Sequence, residues 1–119
     1  MKTVLVVDDD SMNLKMASMI LSRKGYAVQT ASSGLECLRR LECKSADLVL
    51  LDVEMPGMNG IETLEEIRRM RGLNRLPVLF LTADVCDETI RAAERLGAAG
   101  CLQKPYRPQE FLACMEKLL

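Results

Sequence analysis

Short apolar runs of strand length alternate along this chain with longer stretches whose apolar residues recur at helical spacing, and few architectures accommodate that alternation. Thr3–Val7 (TVLVV) is rich in β-branched residues and reads as a buried strand. Ser11–Lys24 comes next as a helix, with Leu14, Ala17, Ile20 and Leu21 on one stripe and Gly25 where a helix-closing glycine belongs. Tyr26–Thr30 is a second strand, and Ser33–Cys43 a second helix, with Leu35, Leu38 and Leu41 recurring and Ser32 or Ser33 as its cap. Asp47–Leu51 is a third strand, apolar after its first residue, and Met55–Gly60 is dense in turn residues. Ile61–Met70 reads as a helix stopped by Gly72, and Pro77–Leu81 as a strand with its proline at the tolerated first position. Asp84–Leu96 is a fourth helix closed by Gly97, Gly100–Leu102 a short fifth strand, and Pro108–Leu119 a last helix with proline in its first turn.

The order βαβαβαβαβα predicts an α/β fold, a doubly wound parallel sheet of five βα units, because right-handed crossovers place helices on both faces. Strands buried on both sides should be continuously apolar, as the first, third and fourth are. At 119 residues, with 49% of them apolar, the chain suits one domain over 1–119. No repeat or linker breaks it, and with its last helix running to the final residue no output domain is expected in this chain. The formal charge of −1 gives no electrostatic footprint for nucleic acid or a membrane surface. Apolar runs fall far short of the ~20 residues of a membrane span, and residues 1–7 lack a signal-peptide pattern, so a cytoplasmic protein is the expectation. Five scattered cysteines (Cys37, Cys43, Cys86, Cys101 and Cys114) form no C-x-x-C pair and read as reduced, small packing residues. The chain has no histidine, which removes histidine-based triads and any phosphohistidine of its own.

Open α/β sheets bind ligands beyond the carboxyl ends of their strands. There the first strand presents Asp8-Asp9-Asp10, the third Asp52, the fourth Thr82-Ala83 and the fifth Lys104-Pro105. The second presents only Thr30-Ala31-Ser32. Singly, such residues are turn formers, caps or surface charges, and Asp10 reads as the cap of the first helix. Gathered on one rim they make a particular demand. Carboxylates ~4 Å apart repel by about 4 kcal/mol at an effective dielectric of 20. A hard divalent cation relieves this, and Mg²⁺ suits best because it takes a few carboxylates and keeps several waters. With an ammonium and a hydroxyl beside one ionised carboxylate, the group suits phosphoryl transfer onto that carboxylate.

Four segments, VLVVDDD (4–10), LVLLDVEMPGMNG (48–60), PVLFLTA (77–83) and CLQKPY (101–106), stand in order at these strand ends. Through them the whole chain resembles the receiver domain of two-component response regulators, of the single-domain type used in chemotaxis, sporulation and cell-cycle signalling. The resemblance implies a flavodoxin-like strand order 2-1-3-4-5. It implies Asp52 as phosphoacceptor. Mg²⁺, for which Mn²⁺ can substitute, would be held by Asp9, Asp52 and the backbone carbonyl of Glu54, with Asp8 acting through a water. Thr82, Ala83 and Lys104 would hold the phosphoryl group, and the bond before Pro105 would be cis. The donor would be a histidine kinase, a histidine phosphotransfer protein or a small phosphodonor. The output would be altered binding of a protein target or output domain through the face of the fourth helix, fifth strand and fifth helix. The chain would be a monomer or a phosphorylation-dependent dimer. It would promote its own phosphorylation and slow dephosphorylation without being an enzyme in the usual sense.

One position departs from the pattern. An aromatic usually stands three residues before the strand-five lysine, where this chain has Cys101, and Tyr106 is misplaced to substitute. Switching is therefore expected to rest on the loop Thr82–Asp84. Glu54 and Asp84 stand at the mouth of the site, where such positions tune hydrolysis of the acyl phosphate in this family. Met12, Met16 and Met19 recur at helical spacing and read either as core or partially exposed packing residues or as an adaptable docking surface for a kinase. The alternative reading is a receiver-like interaction module that works without phosphate. A P-loop, a flavodoxin phosphate loop and a haloacid-dehalogenase Asp pair are all missing.

Overall fold

The computed structural model describes residues 1–119. The apolar runs form five parallel strands: β1 (Thr3–Val7), β2 (Ala27–Ala31), β3 (Leu48–Asp52), β4 (Val78–Thr82) and β5 (Gly100–Gln103). Their order is β2-β1-β3-β4-β5, as the resemblance implied. Five helices join and extend them: α1 (Ser11–Arg23), α2 (Gly34–Cys43), α3 (Gly60–Arg69), α4 (Asp87–Leu96) and α5 (Pro108–Leu118). The central strands β3 and β4 are buried along their full length, which is why they are apolar without alternation.

Successive residues of a strand point to opposite faces, and the core divides accordingly. Leu5, Val7, Val49, Leu51 and Phe80 face one layer with Cys37, Leu41, Leu64 and Ile67. Val4, Val6, Leu48, Leu50 and Leu81 face the other with Ala17, Leu21, Phe111 and Met115. So α2 and α3 cover one face of the sheet, and α1 and α5 the other.

Side chains cap the first three helices that lead away from the functional rim. Asp10 accepts from the Met12 N–H at 2.9 Å, the cap role expected of it. Ser33, not Ser32, caps α2 through Glu36 N–H. Asn59 and Glu62 form a reciprocal capping box at α3, so that helix starts one residue before Ile61. Gly60 must be glycine because a Cβ there would overlap the Asp52 carbonyl and the Val53 Cα. The first turn of α3 thus lies directly against the end of β3.

Several expectations need correction. Helix α4 begins at Asp87, not Asp84. The Asp84 N–H is taken by the Thr82 hydroxyl at 3.1 Å, and the Cys86 N–H by the Asp84 carbonyl at 3.1 Å, so 84–86 lies outside the helix. Strand β2 starts at Ala27 because the Tyr26 N–H closes α1 on Leu21. Leu35 is 52% exposed and Cys37 takes its place in the core. Met12, Met16 and Met19 are 55–62% exposed, so none of them is a core residue. The five thiols are free, but Cys43 is exposed and fills no core position. No helix is long and apolar enough to cross a membrane.

Arg68, at the far end of the molecule from the acidic rim, ties two helix ends together. Its guanidinium donates to the carbonyls of Leu96 (2.7 Å), Gly97 (3.1 Å), Leu76 (2.7 Å) and Leu73 (3.1 Å). The cation thereby sits on the C-terminal carbonyls of α4, where the helix dipole favours it.

Candidate functional site

The parallel register brings the strand-end residues together. Carboxylate oxygens of Asp8, Asp9 and Asp52 lie within 4.8 Å of one another. Asp8 and Asp52 are each only 2% exposed, while Asp9 is exposed. The Lys104 ammonium reaches across from β5 and stands 3.1 Å from both Asp8 Oδ2 and Asp52 Oδ1. Asp8 also accepts from the Asp10 N–H (3.0 Å) and from Asn13 Nδ2 (3.2 Å). Asp52 Oδ1 accepts from the Glu54 N–H at 3.2 Å. The peptide bond between Lys104 and Pro105 is cis.

One ammonium does not balance these acids. Burial, then the Asp8 charge, pushes the Asp52 carboxyl up to about 7, and Lys104 pulls it back only in part. Burial lowers the Lys104 ammonium, but Asp52 and Asp8 more than offset this and hold it above its ordinary value. A group with an excess of buried oxygen anions, open to a cleft, fits a divalent cation.

Thr82 is fully buried at the end of β4. Its hydroxyl donates toward Glu54 Oε2 and lies 3.0 Å from the Asp84 carbonyl. The neighbouring Ala83 N–H donates to Glu54 Oε1 at 2.8 Å. A cleft of about 350 Å³, lined by Asp8, Asn13, Met16, Lys104, Pro105 and Tyr106 among others, opens beside the acids. Tyr106 stacks on Phe111 with ring centroids 4.8 Å apart. Cys101 pairs in register with Phe80 and is partly buried against the core, where burial pushes its thiol up.

All the acids singled out in the sequence, with Thr82, Ala83 and Lys104, thus stand on one rim. Sequence reasoning missed two partners. Asn13 lies one turn into α1 and could have been found as a polar residue facing the strand-one acids. The grip of the Glu54 carboxylate on Thr82 and Ala83 joins residues 28 and 29 positions apart and leaves no local signal.

A family model described as the response regulator receiver domain matches residues 4–116. Over 119 residues the chain is 43% identical to the transcriptional regulatory protein CpxR homolog of Haemophilus influenzae, covering 100% of this chain and 51% of that protein. It is 36% identical to the alkaline phosphatase synthesis transcriptional regulatory protein PhoP of Bacillus subtilis, covering 99% of this chain and 48% of that one. The chain therefore spans about half the length of these curated relatives. Among solved structures, the chemotaxis protein CheY4 of Vibrio cholerae superposes with a TM-score of 0.95 at 34% identity, covering 100% of this chain and 99% of that one.

Proposed function

The chain belongs to the response regulator receiver domain family, the phosphorylation-activated switches of two-component signalling, and we propose that Asp52 is the residue on which it accepts its phosphoryl group. The observation that carries this is the meeting of Lys104 with both Asp8 and Asp52, at 3.1 Å each, in an acidic group at the end of β3 and beside the Thr82 hydroxyl. Of the three clustered acids, Asp52 stands on the central strand between the other acids and the Thr82–Ala83 donors.

In this reading residues 1–119 make up a receiver domain. An Asp52 carboxylate oxygen attacks the phosphorus of a phosphohistidine on a histidine kinase or phosphotransfer protein. The P–N bond breaks, and its electron pair leaves with the imidazole. Lys104 neutralises charge on the transferring oxygens, and the Thr82 hydroxyl and Ala83 N–H receive them. Mg²⁺, or Mn²⁺ in its place, would be held by Asp9, Asp52 and the Glu54 backbone carbonyl, with Asp8 through a water. Bound there, it supplies positive charge against the phosphoryl oxygens. The outcome is a shift between two states of the α4–β5–α5 face, read by a protein target or an output domain.

Intact mass after incubation with acetyl phosphate tests the assignment. A gain of one phosphoryl group is expected that requires Mg²⁺ and is absent from Asp52→Asn. No adduct, together with no measurable Mg²⁺ binding, would instead leave an interaction module that works without phosphate.

With Cys101 in the place of an aromatic, the loop Thr82–Asp84 carries the switch. Hydrogen exchange should therefore change most at residues 83–90 when beryllofluoride is added, with smaller changes across β5 and α5. Equal protection of α4 in both states would remove the loop from the account.

A further inference from the structure

The two donors assigned to the phosphoryl oxygens, Thr82 Oγ1 and the Ala83 N–H, are not free. They hold the two oxygens of one carboxylate, Glu54 Oε2 and Oε1. The Glu54 side chain reaches them from the loop after β3, two residues beyond Asp52, and the Thr82 hydroxyl is fully buried. An anion with two oxygens on one hydroxyl and one adjacent N–H is the pattern that two phosphoryl oxygens would present. Charge-assisted bonds of this kind are the strong ones.

We propose that the Glu54 carboxylate is an internal occupant of the phosphoryl seat, so that loading Asp52 is an exchange of one anion for another and not the filling of open donors. This rests on the assignment of Asp52 as acceptor and adds a competitor to it. The geometry has two consequences. First, the resting protein already holds Thr82 and Ala83 in a liganded arrangement, through an anion that comes from β3's side of the site. Second, every phosphoryl group that enters must release Glu54 to the cleft mouth, which lowers the apparent affinity of the site for any phosphoryl-like anion. Loss of two hydrogen bonds, one of them to an exposed N–H, is worth about a tenfold change in an equilibrium constant.

The Glu54 backbone carbonyl survives any side-chain substitution, so the carboxylate can be tested alone. Glu88 supplies the control. It is an exposed acid that lines the same mouth as Glu54 but makes no hydrogen bond to Thr82 or Ala83. The experiment measures the beryllofluoride dissociation constant by fluorine NMR at saturating Mg²⁺ in wild type, Glu54→Gln, Glu54→Ala and Glu88→Gln. It also records the Ala83 amide proton resonance of each in metal-free buffer. Expected are affinities about tenfold tighter in Glu54→Ala, less so in Glu54→Gln, and near wild type in Glu88→Gln. The metal-free Ala83 amide should move upfield in both Glu54 variants and stay in place in Glu88→Gln. Unchanged affinity in both Glu54 variants, or an equal gain in Glu88→Gln, overturns the proposal, the latter because it would be a general effect of charge. Adduct in wild type with no Glu54 effect leaves the Asp52 assignment standing and sinks this inference alone. No adduct in any of the proteins sinks both.

Discussion

Asp52→Asn, which removes the proposed acceptor, is expected to make the metal-free protein more stable, by about 1–3 kcal/mol near pH 8. The Asp52 carboxyl is buried beside Asp8, and its proton affinity is raised from 3.8 to about 7. Between those two values the native state binds more protons than the unfolded chain, so stability falls as pH rises. The loss is complete above about 7. Asparagine has nearly the same shape, can still accept from the Glu54 N–H, and leaves Lys104 paired with Asp8. Denaturant unfolding in EDTA at about pH 5 and 8 should show wild type losing stability over that range and the variant losing less. Saturating Mg²⁺ should stabilise wild type well above the variant, since it binds only the folded site. A variant less stable than wild type at the higher pH would mean that Lys104 already compensates the acids.

Arg68→Ala should cost about 2–4 kcal/mol, although it touches neither the acids nor the cleft. It strips four carbonyls of their donor at once: Leu73, Leu76, Leu96 and Gly97. Bonds to a charged donor are worth more than neutral ones, and carbonyls left in a half-buried place incur a desolvation cost. Arg68→Lys should recover little, because an ammonium cannot present the planar fork that reaches both helix ends. Urea titration checks the magnitude, and hydrogen exchange should show the loosening at the C-terminal end of α4. A cost under about 1 kcal/mol would mean that water replaces the guanidinium at most of these carbonyls.

The fold was legible because each strand is short, apolar and bounded by turn residues, so alternation alone produced the sequence of elements. Strand order was not. It came from resemblance, since periodicity says nothing about which strands pair. The rim was legible because parallel strands deliver their carboxyl ends to one edge, so the residues that end each apolar run are the ones that meet there. Contacts made by long side chains between distant elements stayed hidden. Arg68 reads in sequence as one more polar position on α3, and Glu54 as a charge at a cleft mouth. The start of α4 was missed because Asp84 resembles a helix cap, while Thr82, two residues earlier, had already captured its N–H. The exposure of Met12, Met16 and Met19 likewise depended on which face of α1 meets the sheet, and Ala17 with Leu21 decides that.

The ion pair from Lys104 to Asp8 joins residues 96 positions apart, from the first strand to the last. On a ribosome adding ~5–20 residues per second, Asp8 is made roughly 5–20 s before its cation and Asp52 roughly 3–10 s before it. A nascent chain, or one truncated before β5, carries the carboxylates with no ammonium to bind them. The site is therefore complete only once the fifth strand has been made, with α5 alone still to follow.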